Sequence, residues 1–516
     1  MKRYLALILA LLFLLTACDV YFVGSTAVGE TTASGDKPTN PDCHRDDDDN
    51  GICDLCYESV IVLIDFYTIN DIHGKFKDSS SQDGVDELTA YLKKRKILDE
   101  YTVFLSAGDS WQGSSESNLT EGLLFTDWMN RLGFAAMALG NHEFDWGEGV
   151  VEKNSSFATF PLLAINIYER DTNQPVDYTA PSVTVECGGV TVGIIGAIGD
   201  CYSSISSDKT EDIYFKTGAA LTALVKAESE RLREAGADLI VYLLHDGAEL
   251  SGTSGQTVSS GELASYYDVS LSSGYVDLVF EGHTHKSYVL RDSYGVYHLQ
   301  GGGDNKGITH VEIAVNTARD THTVSEAEYL PSSTYSKLEG DALVDELLQK
   351  YSDVIAKGEE VLGKNASYKQ SGKLCQLVAD LYYEAGMEKW GDSYEIALAG
   401  AFLKARSPYN LAAGNVTYGQ LQMIFPFDNQ IVLCAIKGRD LARVFYDDPN
   451  ENYYMKYSSY GQSLANAIDA NATYYVITDT YSSNYSYNRM TEVARFDETT
   501  FARDLLAEYI RRGGMA

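Results

Sequence analysis

Val60-Ile61-Val62-Leu63-Ile64-Asp65-Phe66-Tyr67-Thr68-Ile69-Asn70-Asp71-Ile72-His73-Gly74 decides how this 516-residue chain is read. A β-prone apolar run breaks off into a short polar cluster. Side chains alternate faces along a strand, so Asp71 and His73 project together while Ile72 points away. Four more apolar runs end the same way. Tyr101–Ser106 leads to Gly108-Asp109, and Ala135–Leu139 leads to Gly140-Asn141-His142-Glu143. Leu239–Leu244 leads to His245-Asp246, and Val276–Phe280 leads to Gly282-His283-Thr284-His285. Further strands are expected at Leu162–Ile167 and Val190–Ala197, with helices at Asp86–Asp99, Leu123–Leu132 and Thr217–Ala235. This alternation predicts an α/β (α+β) fold of stacked sheets covered by helices. Its chemistry should collect beyond the carboxyl ends of the strands.

The clusters supply Asp, Asn and His in the mixture a two-metal hydrolytic site uses. Asp109 has two oxygens and can bridge two cations, Asn141 adds a neutral oxygen, and the histidines add nitrogens. That set suits Zn, Mn, Fe or Co better than the all-oxygen sites of Mg and Ca. Taken alone, His245 reads better as a half-buried structural histidine than as a ligand. Five such clusters at five strand ends are not a coincidence of composition.

The chain is long enough for two domains. It carries 74 acidic against 40 basic residues, a net charge of −34. Such a surface repels nucleic-acid backbones and argues against a nucleic-acid polymer as partner. It would repel a phosphorylated substrate too, unless bound cations reverse the sign locally.

Lys2 and Arg3 precede an apolar run from Leu5 to Leu15 that is short of the roughly 20 residues a bilayer span takes. Leu15-Thr16-Ala17-Cys18 resembles the bacterial lipobox, which makes Cys18 the expected lipid attachment point, with export and membrane anchoring to follow. A tether is expected over 19–59, rich in Ser, Thr, Gly and Pro as far as residue 42. Within it, the segment 43–56 admits three readings. Asp46, Asp48, Asn50, Gly51 and Asp54 match the first half of a calcium loop, although Tyr57 stands where a bidentate Glu belongs. Cys53 and Cys56 with Cys43 or His44 match part of a zinc site, and a disulfide-pinned acidic linker is the third reading. Eight cysteines less Cys18 leave an odd seven, with no disulfide framework in their spacing.

Asp71-x-His73, Gly108-Asp109, Gly140-Asn141-His142-Glu143, His245 and Gly282-His283-x-His285 together resemble the calcineurin-like metallophosphoesterases. Within them the chain is similar to the bacterial 5′-nucleotidase, UDP-sugar hydrolase and 2′,3′-cyclic phosphodiesterase group. The resemblance implies a four-layer αββα domain over 60–335, a connector helix over 336–360 and a C-terminal α/β domain over 361–516. Asp71, His73, Asp109 and His285 would hold one metal; Asp109, Asn141, His245 and His283 the other. His142, oriented by Asp145, would stabilise or protonate the leaving oxygen, and the C-terminal domain would swing to bring substrate onto the metals.

In the family that domain grips a nucleoside. Here Pro426-Phe427-Asp428-Asn429 stands for the family's Pro-Phe-Gly-Asn turn, so Phe427 is the expected stacking ring, with Asn429 beside it. The expected Asn-x-Gly-Gly-Ile-Arg run is replaced by Ala399-Gly400-Ala401-Phe402-Leu403-Lys404-Ala405-Arg406, leaving Lys404 or Arg406 as substitutes for its arginine. Lys would not reproduce a planar bidentate fork. Gln370 stands where a further family arginine belongs, and Tyr485 or Tyr487 could supply a second ring. The implied activity is metal-dependent hydrolysis of small phosphate monoesters, nucleotides first. Cyclic phosphodiester, UDP-sugar or non-nucleotide substrates are the nearest alternatives, and a catalytically silent surface binding protein is the alternative of another class.

Overall fold

The computed structural model describes residues 19–21, 45–54, 59–78, 83–248, 254–258, 274–292, 294–401, 410–446, 454–464, 467–484, 489–496 and 500–516. Two sheets lie face to face in the first domain. One is six-stranded, in the order Thr321–Pro331, Gly307–Asn316, Ile61–Ile69, Tyr101–Ser106, Ala136–Ala138, Leu162–Leu163. The other is eight-stranded, with Ser182–Cys187, Val190–Ile198, Leu239–His245, Leu278–Glu281 and Tyr297–Gly301 as consecutive neighbours.

The two-residue period shows in the packing. Ile64 and Phe66 of one sheet meet Val241, Leu243 and Phe280 of the other in the inter-sheet core. Tyr67 and Ile69 face outward instead, under the helices Asp86–Leu98, Leu123–Leu132 and Ala342–Lys350. On the far side Ile240, Tyr242 and Leu244 lie under helix Ala219–Glu234. The order helix, sheet, sheet, helix is the expected four layers.

Two parts of the expected tether are built into this domain. Asp19–Tyr21 pairs antiparallel with Ser182–Cys187 as an edge strand. Asp46 is buried, accepts the N–H groups of Asn50 and Gly51 at 3.0 Å, and receives Asn316 Nδ2 at 2.8 Å. Arg319 donates to the carbonyls of Asp46 and Asp47. A tether running to residue 59 is thus corrected: the acidic segment is clasped to the turn at 316–319. Cys43, His44 and Cys56 lie outside the described residues, as does Cys18.

The single connector helix is corrected too. Tyr351 leaves helical geometry (φ −98°, ψ 9°), and two helices result, Ala342–Lys350 and Ser352–Glu359. Lys350 and Tyr351 both bond the buried Asp127 carboxylate, which fixes the break. Leu343, Val344 and Leu347 belong to the first domain's core, so the chain leaves that domain only after them.

The second domain has a five-stranded sheet, ordered Tyr454–Tyr457, Ile396–Ala401, Thr473–Asp479, Ile431–Lys437, Thr491–Arg495. Helices Ser371–Trp390 and Ala502–Arg511 cover it, with Leu374, Val378, Leu506 and Ile510 in the core. Among the described residues, no helix is long and apolar enough to cross a membrane.

Candidate dimetal active site

All seven candidate ligands converge at the carboxyl ends of strands from both sheets. Asp71 and His73 follow Ile61–Ile69, Asp109 follows Tyr101–Ser106, and Asn141 follows Ala136–Ala138. From the second sheet come His245, the last residue of its strand, and His283 and His285 after Leu278–Glu281. Backbone hydrogen bonds stitch the first two loops together: Asp71 N–H to Gly108 O at 2.9 Å, His73 N–H to Asp109 O at 3.0 Å.

The acceptor atoms face one another in two groups. In the first, His73 Nε2 lies 2.9 Å from His285 Nε2, and Asp71 Oδ1 is 3.4 Å from the latter. In the second, His245 Nε2 is 3.2 Å from Asp109 Oδ2 and 3.3 Å from Asn141 Oδ1, while His283 Nδ1 is 2.9 Å from the same Asn141 oxygen. Asp71, Asp109 and His245 link the groups, with ligand atoms within 4.8 Å of one another.

Two tautomers are set from behind. His73 Nδ1 lies 3.0 Å from Gln112 O, and His245 Nδ1 lies 2.7 Å from Ala107 O. A carbonyl only accepts, so each Nδ1 carries hydrogen and each Nε2 of the neutral ring turns a lone pair into the site. Lone pairs and carboxylate oxygens crowded together call for a cation.

The titration behaviour points the same way. Burial would lower the His245 pKa, yet Asp109 and Asp71 hold it up at about 10. Burial works to raise Asp109, but His245, His142 and His73 bring it well below the usual carboxylate range. Burial and the charge of His245 push His283 down. Without metal, His245 thus keeps its proton beside an ionised Asp109, and a divalent cation between them would displace that proton.

The backbone bears strain here. Asp71 (φ 49°), His73 (52°), Asp109 (52°), His283 (68°) and His285 (57°) all adopt left-handed conformations. Each costs on the order of 1–3 kcal/mol and persists only where the surroundings over-determine it.

His142 stands beside these groups. Its N–H donates to Asp109 Oδ1 at 2.8 Å, its Nδ1 lies 2.8 Å from Asp145 Oδ2, and its ring meets His73 edge-on at 5.2 Å. With Nδ1 engaged by a carboxylate, Nε2 becomes the position for proton exchange.

Sequence reading assigned no role to Glu143, whose carboxylate is fully buried. Glu143 accepts the N–H groups of Gly140 (2.7 Å), Asp109 (2.9 Å), Ser110 (2.8 Å) and Trp111 (3.3 Å), clamping two ligand loops together. Burial and the Asp109 charge push this carboxyl up to about 7, against the four donors that favour its ionised form. Asn70 also went unnoticed; it donates to Asp71 Oδ2 at 2.7 Å and accepts Gly301 N–H at 2.8 Å. The signal for both was their position, one residue from a ligand or two.

The second domain reaches the site through the turn at 426–429. Phe427 stacks on His142, with ring centroids 5.9 Å apart and planes 22° apart. Buried Arg503 holds the turn, donating to Pro426 O at 3.2 Å and Phe427 O at 3.4 Å and pairing with Asp428. Asp428 thus fills the expected glycine position with one half of an ion pair, which sequence reading missed. Asn429 is buried behind it, 5% exposed. Lys404, Arg406, Tyr485 and Tyr487 lie outside the described residues. A cleft of about 970 Å³, lined by none of the candidate site residues, opens between the domains, walled by Tyr202, Phe215 and Asp208 on one side and Tyr481 and Arg495 on the other.

Comparison with known proteins agrees with this geometry. Residues 64–287 match the calcineurin-like phosphoesterase model, and 354–464 match the 5′-nucleotidase C-terminal domain. The chain is a calcineurin-like phosphoesterase with a 5′-nucleotidase C-terminal domain. Calcineurin-like phosphoesterases are metal-dependent hydrolases that use two divalent metal ions. This phosphoesterase is 28% identical to the endonuclease YhcR of Bacillus subtilis over 415 residues, which cover 73% of the chain. The match spans only 32% of that relative's length. It is 24% identical to the protein UshA of Yersinia enterocolitica over 503 residues, 85% of the chain and 88% of UshA. In fold it matches the 5′-nucleotidase precursor of Thermus thermophilus, with a TM-score of 0.63 over 88% of this chain and 96% of that one, at 20% identity.

Proposed function

We propose that this phosphoesterase hydrolyses phosphate monoesters, nucleotides first among them, outside the cytoplasmic membrane as a lipoprotein anchored through Cys18. The observation that carries the reading is the convergence of seven acceptor side chains beside the His142–Asp145 pair, with the Phe427 ring laid over His142. Asp71, His73, Asp109 and His285 would hold one divalent ion; Asp109, Asn141, His245 and His283 the second. When bound, the two ions supply an activated water at neutral pH and neutralise the phosphoryl charge.

The remaining work belongs to the chain. His142 gives its Nε2 proton to the leaving oxygen as the P–O bond breaks, and Asp145 stabilises the cationic ring beforehand. Phe427 offers a flat apolar face next to that oxygen, where a base or other planar leaving group would stack. The endonuclease name of one relative does not transfer readily, because the net charge of −34 opposes a polymer of phosphates.

The test is phosphate release by a soluble form beginning at Asp19, which keeps the edge strand and the clasped acidic segment. Mn or Zn would be added, and the panel would hold 5′-AMP, 3′-AMP, 2′,3′-cyclic AMP, UDP-glucose and an aryl phosphate. Preference for 5′-AMP is expected. Turnover of the aryl phosphate alone would remove the nucleotide from the proposal, and silence with two metals bound would replace hydrolysis by binding. Labelling of the full chain with radioactive palmitate, lost in Cys18→Ala, tests the anchor.

A further inference from the structure

We propose that Tyr288, buried behind the metal site, is a positioning residue whose hydroxyl locks the loops carrying His245, His283 and His285 into the geometry that binds metal. The inference rests on reading those histidines as ligands.

The Tyr288 hydroxyl has three partners. It donates to Glu281, accepts Ala248 N–H at 3.0 Å and accepts Gln300 Nε2 at 2.9 Å. A hydroxyl has one donor and two acceptor positions, so its capacity is filled. Each partner leads to the site. Ala248 lies three residues after His245. Glu281 is the last strand residue before Gly282-His283, and Gly282 N–H bonds Asp246 O at 3.0 Å across the two loops.

Gln300 completes the link. Its side chain exchanges hydrogen bonds with Thr284, Nε2 at 3.0 Å and Oε1 at 3.1 Å from Oγ1, and Oε1 also accepts Lys286 N–H at 3.0 Å. Thr284 lies between the two ligands, and Lys286 follows the second. The backbone of His283 and His285 is therefore gripped on both sides in the left-handed conformation it would otherwise leave (φ 68° and 57°).

The hub has its own support. His298 Nδ1 is 2.6 Å from Glu281 Oε1, and its Nε2 is 3.2 Å from Asp292 Oδ2. Tyr288, His298 and Gln300 are each 0% exposed and Glu281 only 1%. Gly247 shows how tightly the hub is packed: a Cβ there would come within 2.8 Å of the Tyr288 hydroxyl and 2.7 Å of Gly282 O. A fully satisfied buried network of this kind specifies one loop conformation.

The experiment measures Mn²⁺ binding to the metal-stripped full chain by equilibrium dialysis, well below the unfolding temperature, for wild type, Tyr288→Phe, Thr284→Val and the double variant. Loss of supporting hydrogen bonds around metal ligands typically costs about 10–100-fold in affinity. Each single variant is expected to weaken Mn²⁺ binding about tenfold. The double variant should lose little more than the worse single one, because both cut the same connection. Unchanged Mn²⁺ affinity in both single variants would overturn the inference while leaving the metal site intact. A wild-type chain that binds no Mn²⁺ would overturn the ligand reading beneath it. If Tyr288→Phe does not fold, Thr284→Val decides by the same criterion, since it removes one hydroxyl at the site and nothing from the core.

Discussion

Phe427 of the second domain stacks on His142 of the first, 5.9 Å between centroids, so the ring expected to hold a nucleobase already touches the residue expected to protonate the leaving group. A substrate with a planar leaving group would take the ring's face in place of the imidazole. Phe427→Ala should therefore raise KM for 5′-AMP about 5- to 100-fold, the span expected for one lost base stack. A small aliphatic phosphate should be nearly unaffected. Steady-state kinetics on both substrates checks this; equal losses on the two would mean the ring acts on His142 and not on the base.

His142 contacts Asp109 through its backbone N–H and Asp145 through its ring, without belonging to the acceptor clusters. His142→Ala should keep both metals and lose about 10²–10⁴ in kcat, the usual worth of a positioned acid. Asp145→Asn should lose less, because it changes the ring's polarisation while leaving the proton carrier in place. Metal content by elemental analysis, set beside kcat, separates the two roles. A His142→Ala protein without metal would make the residue structural.

Glu143→Gln puts an amide NH₂ where an oxygen now accepts two backbone N–H groups. At least two buried donors lose their acceptor, at roughly 1–3 kcal/mol each. The variant should unfold by about 5 °C or more below wild type and bind metal poorly, because the loops carrying Asp109 and Asn141 are no longer held together. Thermal unfolding of the metal-free proteins measures the first effect, and titration with Mn²⁺ the second.

The first domain was legible because each ligand cluster terminates a strand, and strands announce themselves by composition and period. Observed strands Ile61–Ile69, Tyr101–Ser106 and Leu239–His245 fall within a residue of those expected. Glu143, Asn70 and Tyr288 were passed over because their roles rest on bonds made across the fold as well as local ones: Glu143 to Asp109, Asn70 to Gly301 and Tyr288 to Ala248. Arg503 escaped for the same reason, lying 75 residues from the Asp428 it pairs with. The strand Asp19–Tyr21 escaped because the apolar run that marks it, Val20 to Val23, is short and sits beside the expected lipid attachment point; it pairs antiparallel with Ser182–Cys187. At Tyr351, helical periodicity carried straight through a break that only tertiary bonds to Asp127 create.

Gly140 offers a test of ligand geometry without backbone strain. Its φ of −104° suits any residue, yet a Cβ there would come within 2.8 Å of His245 Nε2 and crowd Asp109 as well. Gly140→Ala should lose stability, because the backbone N of Asp109 would lie 2.7 Å from the new Cβ, and should lose the metal that Asp109 and His245 would hold. Chelation of wild type with EDTA should mimic the variant's inactivity, and added Mn²⁺ should restore only wild type. Restoration of both would show that the ligands tolerate displacement.

His298 makes stability depend on pH. Burial opposes its charge, but Glu281 and Asp292 hold its pKa up at about 9, against 6.5 for an ordinary histidine. A value raised in the folded state means that protonation favours folding. Its contribution is whole below about pH 6.5 and fades as pH rises through about 9. The loss is on the order of 3 kcal/mol, from about 1.4 kcal/mol per pKa unit. Urea unfolding of the metal-free chain at about pH 6, 7.5 and 9 should show stability falling over that range. In His298→Gln, less stable at the acid end, the fall should be shallower by that amount. Parallel profiles for the two proteins would mean that the carboxylates, not the imidazole, carry the proton.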